Sequence, residues 1–111
     1  MRKGEIWWAN LPPPVGKRPV VLLSRNEAYA VRNAVTVAEV TSTIRGIPVE
    51  VPLGPEDGLP KKWVANLDTL ATIRKEHLVS RITALDPEKI NLIDEAIRFA
   101  LDLHSMGSEK S

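Results

Sequence analysis

No cysteine occurs among the 111 residues, so neither a disulfide framework nor a thiolate metal site is open to the chain, and nothing in it signals secretion. Histidine is nearly as scarce: His77 and His104 are the only two, and they do not make a metal-binding spacing. A glycine-rich phosphate loop is missing, as is a Ser-x-Gly nucleophile context. Metal and covalent catalysis are therefore not expected, and neither is a cofactor. Long apolar runs are absent too. The amino end, Met1 to Trp8, is basic and then briefly apolar, and Asn10 and Pro12-Pro13-Pro14 interrupt it too soon for a signal peptide or a membrane span. The expected location is the cytoplasm, with no membrane partner.

Excess charge is also lacking, since 15 Lys and Arg stand against 14 Asp and Glu. The balance is uneven along the chain. Residues 1 to 85 carry 12 basic and 8 acidic side chains, net +4, whereas residues 86 to 111 carry 3 and 6, net −3. The basic part permits a polyanion-binding face without demanding one. A chain of this length closes one modest core, so one domain is expected over residues 1–106, with 107–111 as a frayed tail. Small barrels commonly gain stability by pairing through an apolar edge, and a homodimer is the natural expectation.

What is present is a series of short runs rich in Val, Ile, Leu and Trp. Strands are predicted at Glu5–Asn10, Pro19–Ser24, Val35–Val40, Val49–Leu53, Trp63–Leu67 and Leu70–Ile73. Breakers separate them: Leu11-Pro12-Pro13-Pro14, Arg45-Gly46-Ile47-Pro48 and the stretch from Gly54 to Pro60. This spacing predicts a barrel or sandwich. Pro19 to Leu23 is continuously apolar, as a central strand buried on both faces would be. Glu27 to Arg32 reads equally as a helical turn or an irregular loop. Asp86-Pro87-Glu88 is a helix start, with a capping side chain, proline at the first helical position and an acid facing the dipole. Ile90, Ile93, Ile97, Ala100, Leu101 and His104 follow at helical spacing, and Gly107 is the expected end.

Candidate chemistry sits at the ends of these strands. Gly16-Lys17-Arg18-Pro19 is a basic tip leading into the central strand; an arginine fixed by the next proline can grip a phosphate in two-pronged fashion, although a Lys-Arg pair is ordinarily just solvated charge. Thr41-Ser42-Thr43 ends the third strand, where hydroxyls either orient a phosphate or ribose or satisfy turn backbone. Asp68, in Asn66-Leu67-Asp68-Thr69, can accept a proton or cap a turn. His77 reads as exposed loop and His104 as a helix-end residue. Trp7 and Trp8 point to opposite sheet faces, so at most one is free to stack on a base.

Taken in order, Gly4-Glu5-Ile6-Trp7-Trp8, Gly-Lys-Arg-Pro-Val-Val-Leu-Leu-Ser at 16 to 24, Val-Thr-Ser-Thr-Ile-Arg-Gly-Ile-Pro-Val-Glu-Val at 40 to 51 and Asn66-Leu67-Asp68-Thr69-Leu70 resemble the MazF/PemK toxins over nearly the whole chain. That resemblance implies a mainly β, SH3-like small barrel of the CcdB/MazF type with a C-terminal α-helix. It also implies a homodimeric, metal-independent, sequence-selective endoribonuclease that cuts single-stranded mRNA, and a MazE-like antitoxin whose acidic tail fills the RNA groove. Cleavage would run by attack of a ribose 2′-hydroxyl on its own phosphate, leaving a cyclic phosphate and a 5′-hydroxyl. Arg18 and Thr41 match the family's catalytic positions. Lys17, Ser42, Thr43, Asp68 and Thr69 are the expected RNA contacts. Two departures stand out: Pro12-Pro13-Pro14 where several members carry a Glu, and Ala71 where others carry an Arg. They leave the acid and base open and keep a non-cleaving barrel, such as a CcdB-like gyrase poison or a nucleic-acid or antitoxin binder, as the alternative.

Overall fold

The computed structural model describes residues 1–103; His104, Gly107 and the expected tail lie outside the described residues. Six strands form one antiparallel sheet: β1 (Glu5–Leu11), β2 (Gly16–Leu22), β3 (Ala34–Thr41), β4 (Glu50–Leu53), β5 (Trp63–Arg74) and β6 (Leu78–Ala84). Their order is β4-β5-β3-β2-β1-β6, so β2 and β3 are innermost. A short helix, α1 (Ala28–Val31), joins β2 to β3, and α2 (Pro87–Ala100) follows β6. The sheet curls into a half-barrel with β4 and β6 at its edges, the mainly β architecture with a C-terminal helix that the sequence predicts.

The continuous apolar run in β2 is explained by burial on both faces. Val21 joins a cluster with Ile6, Val40, Leu67 and Ile93 of α2. Val20 and Leu22 join a second cluster with Ala9, Val35, Val37 and Tyr29 of α1. All three β2 side chains are 0% exposed, and burial of each contributes about 1.5–3 kcal/mol. Helix α2 starts as expected: the Asp86 carboxylate accepts the Lys89 N–H at 2.9 Å and Pro87 takes the first position. The Lys89 ammonium donates to the Pro52 carbonyl at 2.6 Å and lies 3.5 Å from Asp57, pinning the helix start beside the end of β4.

Several boundaries differ from expectation for physical reasons. Strand β2 begins at Gly16 because the β1–β2 hairpin stays paired down to Leu11 and Gly16, so Lys17 and Arg18 lie inside the ladder rather than at a loop tip. The two expected strands at 63–67 and 70–73 are one strand, β5. The register slips between Ala38–Leu70 and Glu39–Asn66, and the intervening residues of β5 form an irregularity. Strand β6 was not expected, and its register with β1 shifts twice, which breaks the alternation that would have shown it. Helix α2 ends at Ala100 rather than running on to Gly107: Leu101 is exposed and Asp102 turns into the left-handed region at φ 56°. No helix among the described residues is long and apolar enough to cross a membrane.

Tyr29 has its phenol pushed up to about 12 by burial. A raised phenol pKa means the folded chain holds its proton more tightly than the unfolded chain, so the associated stability is present below pH 10 and is lost as pH rises from about 10 to 12. Thermal melts of wild type and Tyr29→Phe at pH 8 and pH 11.5 should show wild type losing more stability than the variant on going alkaline.

Candidate active site

Strand alternation decides which side chains can meet. Arg18, Val20 and Leu22 share the β2 face turned to the α1 side, and Val35, Val37, Glu39 and Thr41 share the matching face of β3. The β2–β3 ladder ends at Val20–Glu39. Carrying the same register two residues further sets Arg18 opposite Thr41. Arg18 is exposed, Pro19 behind it is buried, and no side chain among the described residues pairs with its guanidinium. The buried strand thus fixes the Arg18 backbone while leaving its donors unspent.

At the end of β3, Glu39, Thr41, Thr43, Arg45, Asn66 and Thr69 line a cleft of about 200 Å³. The Thr41 hydroxyl accepts the Thr43 N–H at 3.1 Å, which turns the chain out of β3 and keeps both threonines together. Arg45 is positioned by a buried acid. The Glu50 carboxylate accepts the Arg45 N–H at 3.0 and 3.2 Å and the Gly46 N–H at 2.9 Å, tying the connection between β3 and β4 to the sheet. On β5, the irregularity after Asn66 brings Thr69 into the cleft, a use to which such bulges are often put.

The structure therefore brings together Thr41, Thr43 and Thr69 of the expected residues, with Arg18 next in register. It does not bring in the others. Lys17 turns to the opposite face, where its ammonium lies 5.2 Å from the Trp8 ring centroid, because adjacent strand residues point apart. Ser42 is exposed and does not line the cleft. Asp68 is exposed as well, its N–H donating to the Asn66 side chain at 2.9 Å in a local turn. Trp8 packs edge-on to Trp63 at 6.2 Å. Trp7 is half-buried against the second cluster, and its N–H donates to Glu5 at 2.8 Å.

Glu39, Arg45 and Asn66 were missed as site residues. For Glu39 a signal existed: every second residue from Val35 reads Val, Val, Glu, Thr, a carboxylate in line with core valines. Arg45 carried none, since only the fold sets its loop beside the end of β3. Chemically, a guanidinium, three hydroxyls, an amide and one carboxylate suit a phosphodiester and an adjoining ribose.

A curled antiparallel half-barrel with a helix behind it and a cleft lined by hydroxyl and guanidinium side chains at one end of its central strands defines a small β-barrel protein with a polar site at its mouth. The PemK-like, MazF-like toxin family of type II toxin–antitoxin systems matches residues 2–101, and the chain belongs to that family. It is 37% identical to the probable endoribonuclease MazF5 of Mycobacterium tuberculosis over 90% of this chain and 92% of that protein. Among solved structures, the M. tuberculosis toxin MazF-mt6 superposes with a TM-score of 0.84 at 34% identity, covering 91% of this chain and 99% of that one. A mycobacterial endoribonuclease solved in complex with its cognate antitoxin superposes with a TM-score of 0.83 at 28% identity, covering 95% and 98%.

Proposed function

We propose that this chain is the toxin of a type II toxin–antitoxin pair, a metal-independent, sequence-selective endoribonuclease acting on single-stranded mRNA in the cytoplasm. The observation that supports the reading is the hydroxyl-lined cleft at the end of β3, toward which the β2–β3 register, continued two residues past its last pair at Val20–Glu39, directs Arg18. In the reaction the 2′-oxygen bonds to the adjacent phosphorus while the bond to the departing 5′-oxygen breaks. Negative charge builds on the non-bridging oxygens. A guanidinium is a poor base but a strong stabiliser of that charge, and Arg18 supplies one. Thr41 orients a non-bridging oxygen through its hydroxyl, and Thr43, Arg45 and Thr69 complete the contacts to the backbone of the RNA.

A homodimer and a MazE-like antitoxin belong to the same reading. Pro48, Pro52, Leu92 and Phe99 line an apolar groove between β4 and α2, with Phe99 62% exposed, and such a surface is suited to protein contacts. An acidic antitoxin tail would compete with RNA for Arg18 and Arg45. The test is incubation of the purified protein with single-stranded RNA in excess chelator. Fragments ending in a 2′,3′-cyclic phosphate and a 5′-hydroxyl are the expected products; RNA left intact across varied sequences, or cut only after metal is added, would overturn the proposal.

A further inference from the structure

The same sheet face holds a second, larger hollow of about 420 Å³, within the range of small-molecule sites. Leu11, Val15, Ala71 and Ile73 give it an apolar lining, with Asn10 and His77 among its polar groups. Glu39 lines this hollow and the hydroxyl-lined cleft alike. The ladder explains why: Ile73 pairs with Val35, Ala71 with Val37 and Asn66 with Glu39, so successive same-face positions of β3, about 7 Å apart, lead from the apolar hollow through Glu39 to Thr41. Ala71, small and exposed, leaves the hollow open.

We propose that this hollow receives the base of the nucleotide on the 5′ side of the cleaved bond, and that Glu39, at the junction, accepts the proton of that nucleotide's 2′-hydroxyl. The proposal rests on the ribonuclease reading above. A nucleotide runs base, ribose, 3′-phosphate; this face runs apolar hollow, carboxylate, then hydroxyls and guanidinium. A carboxylate repels phosphate and accepts from a hydroxyl, which puts Glu39 against the ribose. The other two strand-borne glutamates on β1 and β4 are committed to structure, Glu5 to Trp7 and Arg81 and Glu50 to Arg45 and Gly46. Glu39 is half-buried and has no hydrogen-bond or ion-pair partner among the described residues. The 2′-hydroxyl proton passes to it as the bond from the 2′-oxygen to phosphorus forms, and the departing 5′-oxygen is protonated from water. The charged groups around it are Arg45 in the cleft, Arg74 and His77 in the hollow, and Arg18 on β2.

The experiment begins with a random-sequence RNA pool, digested by wild type, Ala71→Phe and Glu39→Gln, with the new 5′-hydroxyl ends sequenced. A short RNA of the preferred sequence, with 2′-deoxy at the cleaved position, is then made abasic at each position in turn and its binding measured by anisotropy. In wild type, loss of the base just 5′ of the cut should weaken binding by about tenfold, as removal of one packed base does. Ala71→Phe should lose selectivity at that one position and bind the intact and abasic RNAs alike. Glu39→Gln should bind the 2′-deoxy RNA as wild type does but turn over about a hundredfold more slowly. It should also lack the acidic limb of the pH–rate profile, a limb that persists in His77→Gln. Unchanged selectivity and abasic penalty in Ala71→Phe overturn the base site, including the case where that variant only alters the oligomeric state and the hollow is a subunit contact. An unchanged pH profile in Glu39→Gln overturns the proton acceptor. A pool that wild type leaves intact instead overturns the ribonuclease reading, and the subsite with it.

Discussion

Replacing Arg18 by alanine is expected to lower kcat/KM for RNA cleavage by about a thousandfold or more while leaving the melting transition nearly unmoved. The first half follows from where charge develops. In the transition state the phosphate oxygens gain negative charge, and a guanidinium aimed at them from a rigid strand needs no reorganisation to respond; removal of one such group ordinarily costs a factor of about 10³, or about 4 kcal/mol of activation free energy. The second half follows from burial. Arg18 is exposed and unpaired among the described residues, and the neighbouring β2 core is made by Pro19, Val20, Val21 and Leu22, so a stability change within about 0.5 kcal/mol is expected. Arg18→Lys should fall between, since an ammonium keeps the charge but not the two-pronged geometry. Single-turnover cleavage alongside thermal melts measures both halves. A variant that still cuts at the wild-type rate would remove Arg18 from the chemistry, and one that unfolds would show its role to be structural.

The legible parts of this fold are those where one physical rule acts alone. The run at 19 to 23 is apolar without a break because both sheet faces are covered there, and Asp86-Pro87 marks a helix start through local capping that needs no tertiary partner. Illegibility sets in where two rules act at once. In β6 the register shifts against β1 leave Val79 exposed and Ser80 and Arg81 side by side, so no alternation survives to be read. In β5 the irregularity after Asn66 makes Asp68-Thr69 look like a connection between two strands, although the ladder continues past it.

The site divides in the same way. Arg18 and Thr41 were singled out because each stands at an end of an apolar run and matches a family position. Which of their neighbours share a face depends on alternation and register that only pairing fixes. Hence Lys17 goes to Trp8 on the far face and Asp68 stays outside the cleft, while Glu39, embedded in a strand that otherwise reads as core, enters it. Of the basic residues, Arg45 rather than Lys17 lines the cleft.

Glu50→Ala is expected to weaken both stability and cleavage, and the pattern across two substitutions identifies the cause. The Glu50 carboxylate is buried and accepts the backbone N–H groups of Arg45 and Gly46 at 2.9 to 3.2 Å. Hydrogen bonds to a charged group each contribute about 1.5–3 kcal/mol, and removing the acceptor strands the donors, so a loss of roughly 2–4 kcal/mol is expected after partial hydration of the opened loop. Cleavage should fall by roughly ten- to a hundredfold even well below the melting temperature, because the loop that presents Thr43 and Arg45 to the cleft loses its anchor; a displacement of about 1 Å at a site has effects of that size. Glu50→Gln separates geometry from charge. One oxygen, Oε1, takes both the Arg45 and the Gly46 contacts, and an amide oxygen placed there can accept both while its NH2 faces away. The glutamine variant should therefore keep most of the cleavage rate and lose only the charge-dependent share of stability. Hydrogen exchange at the Arg45 and Gly46 amides provides the independent readout: fast in Glu50→Ala, slow in Glu50→Gln and in wild type. Equal rates in all three proteins would show that the loop is held in place by something other than Glu50.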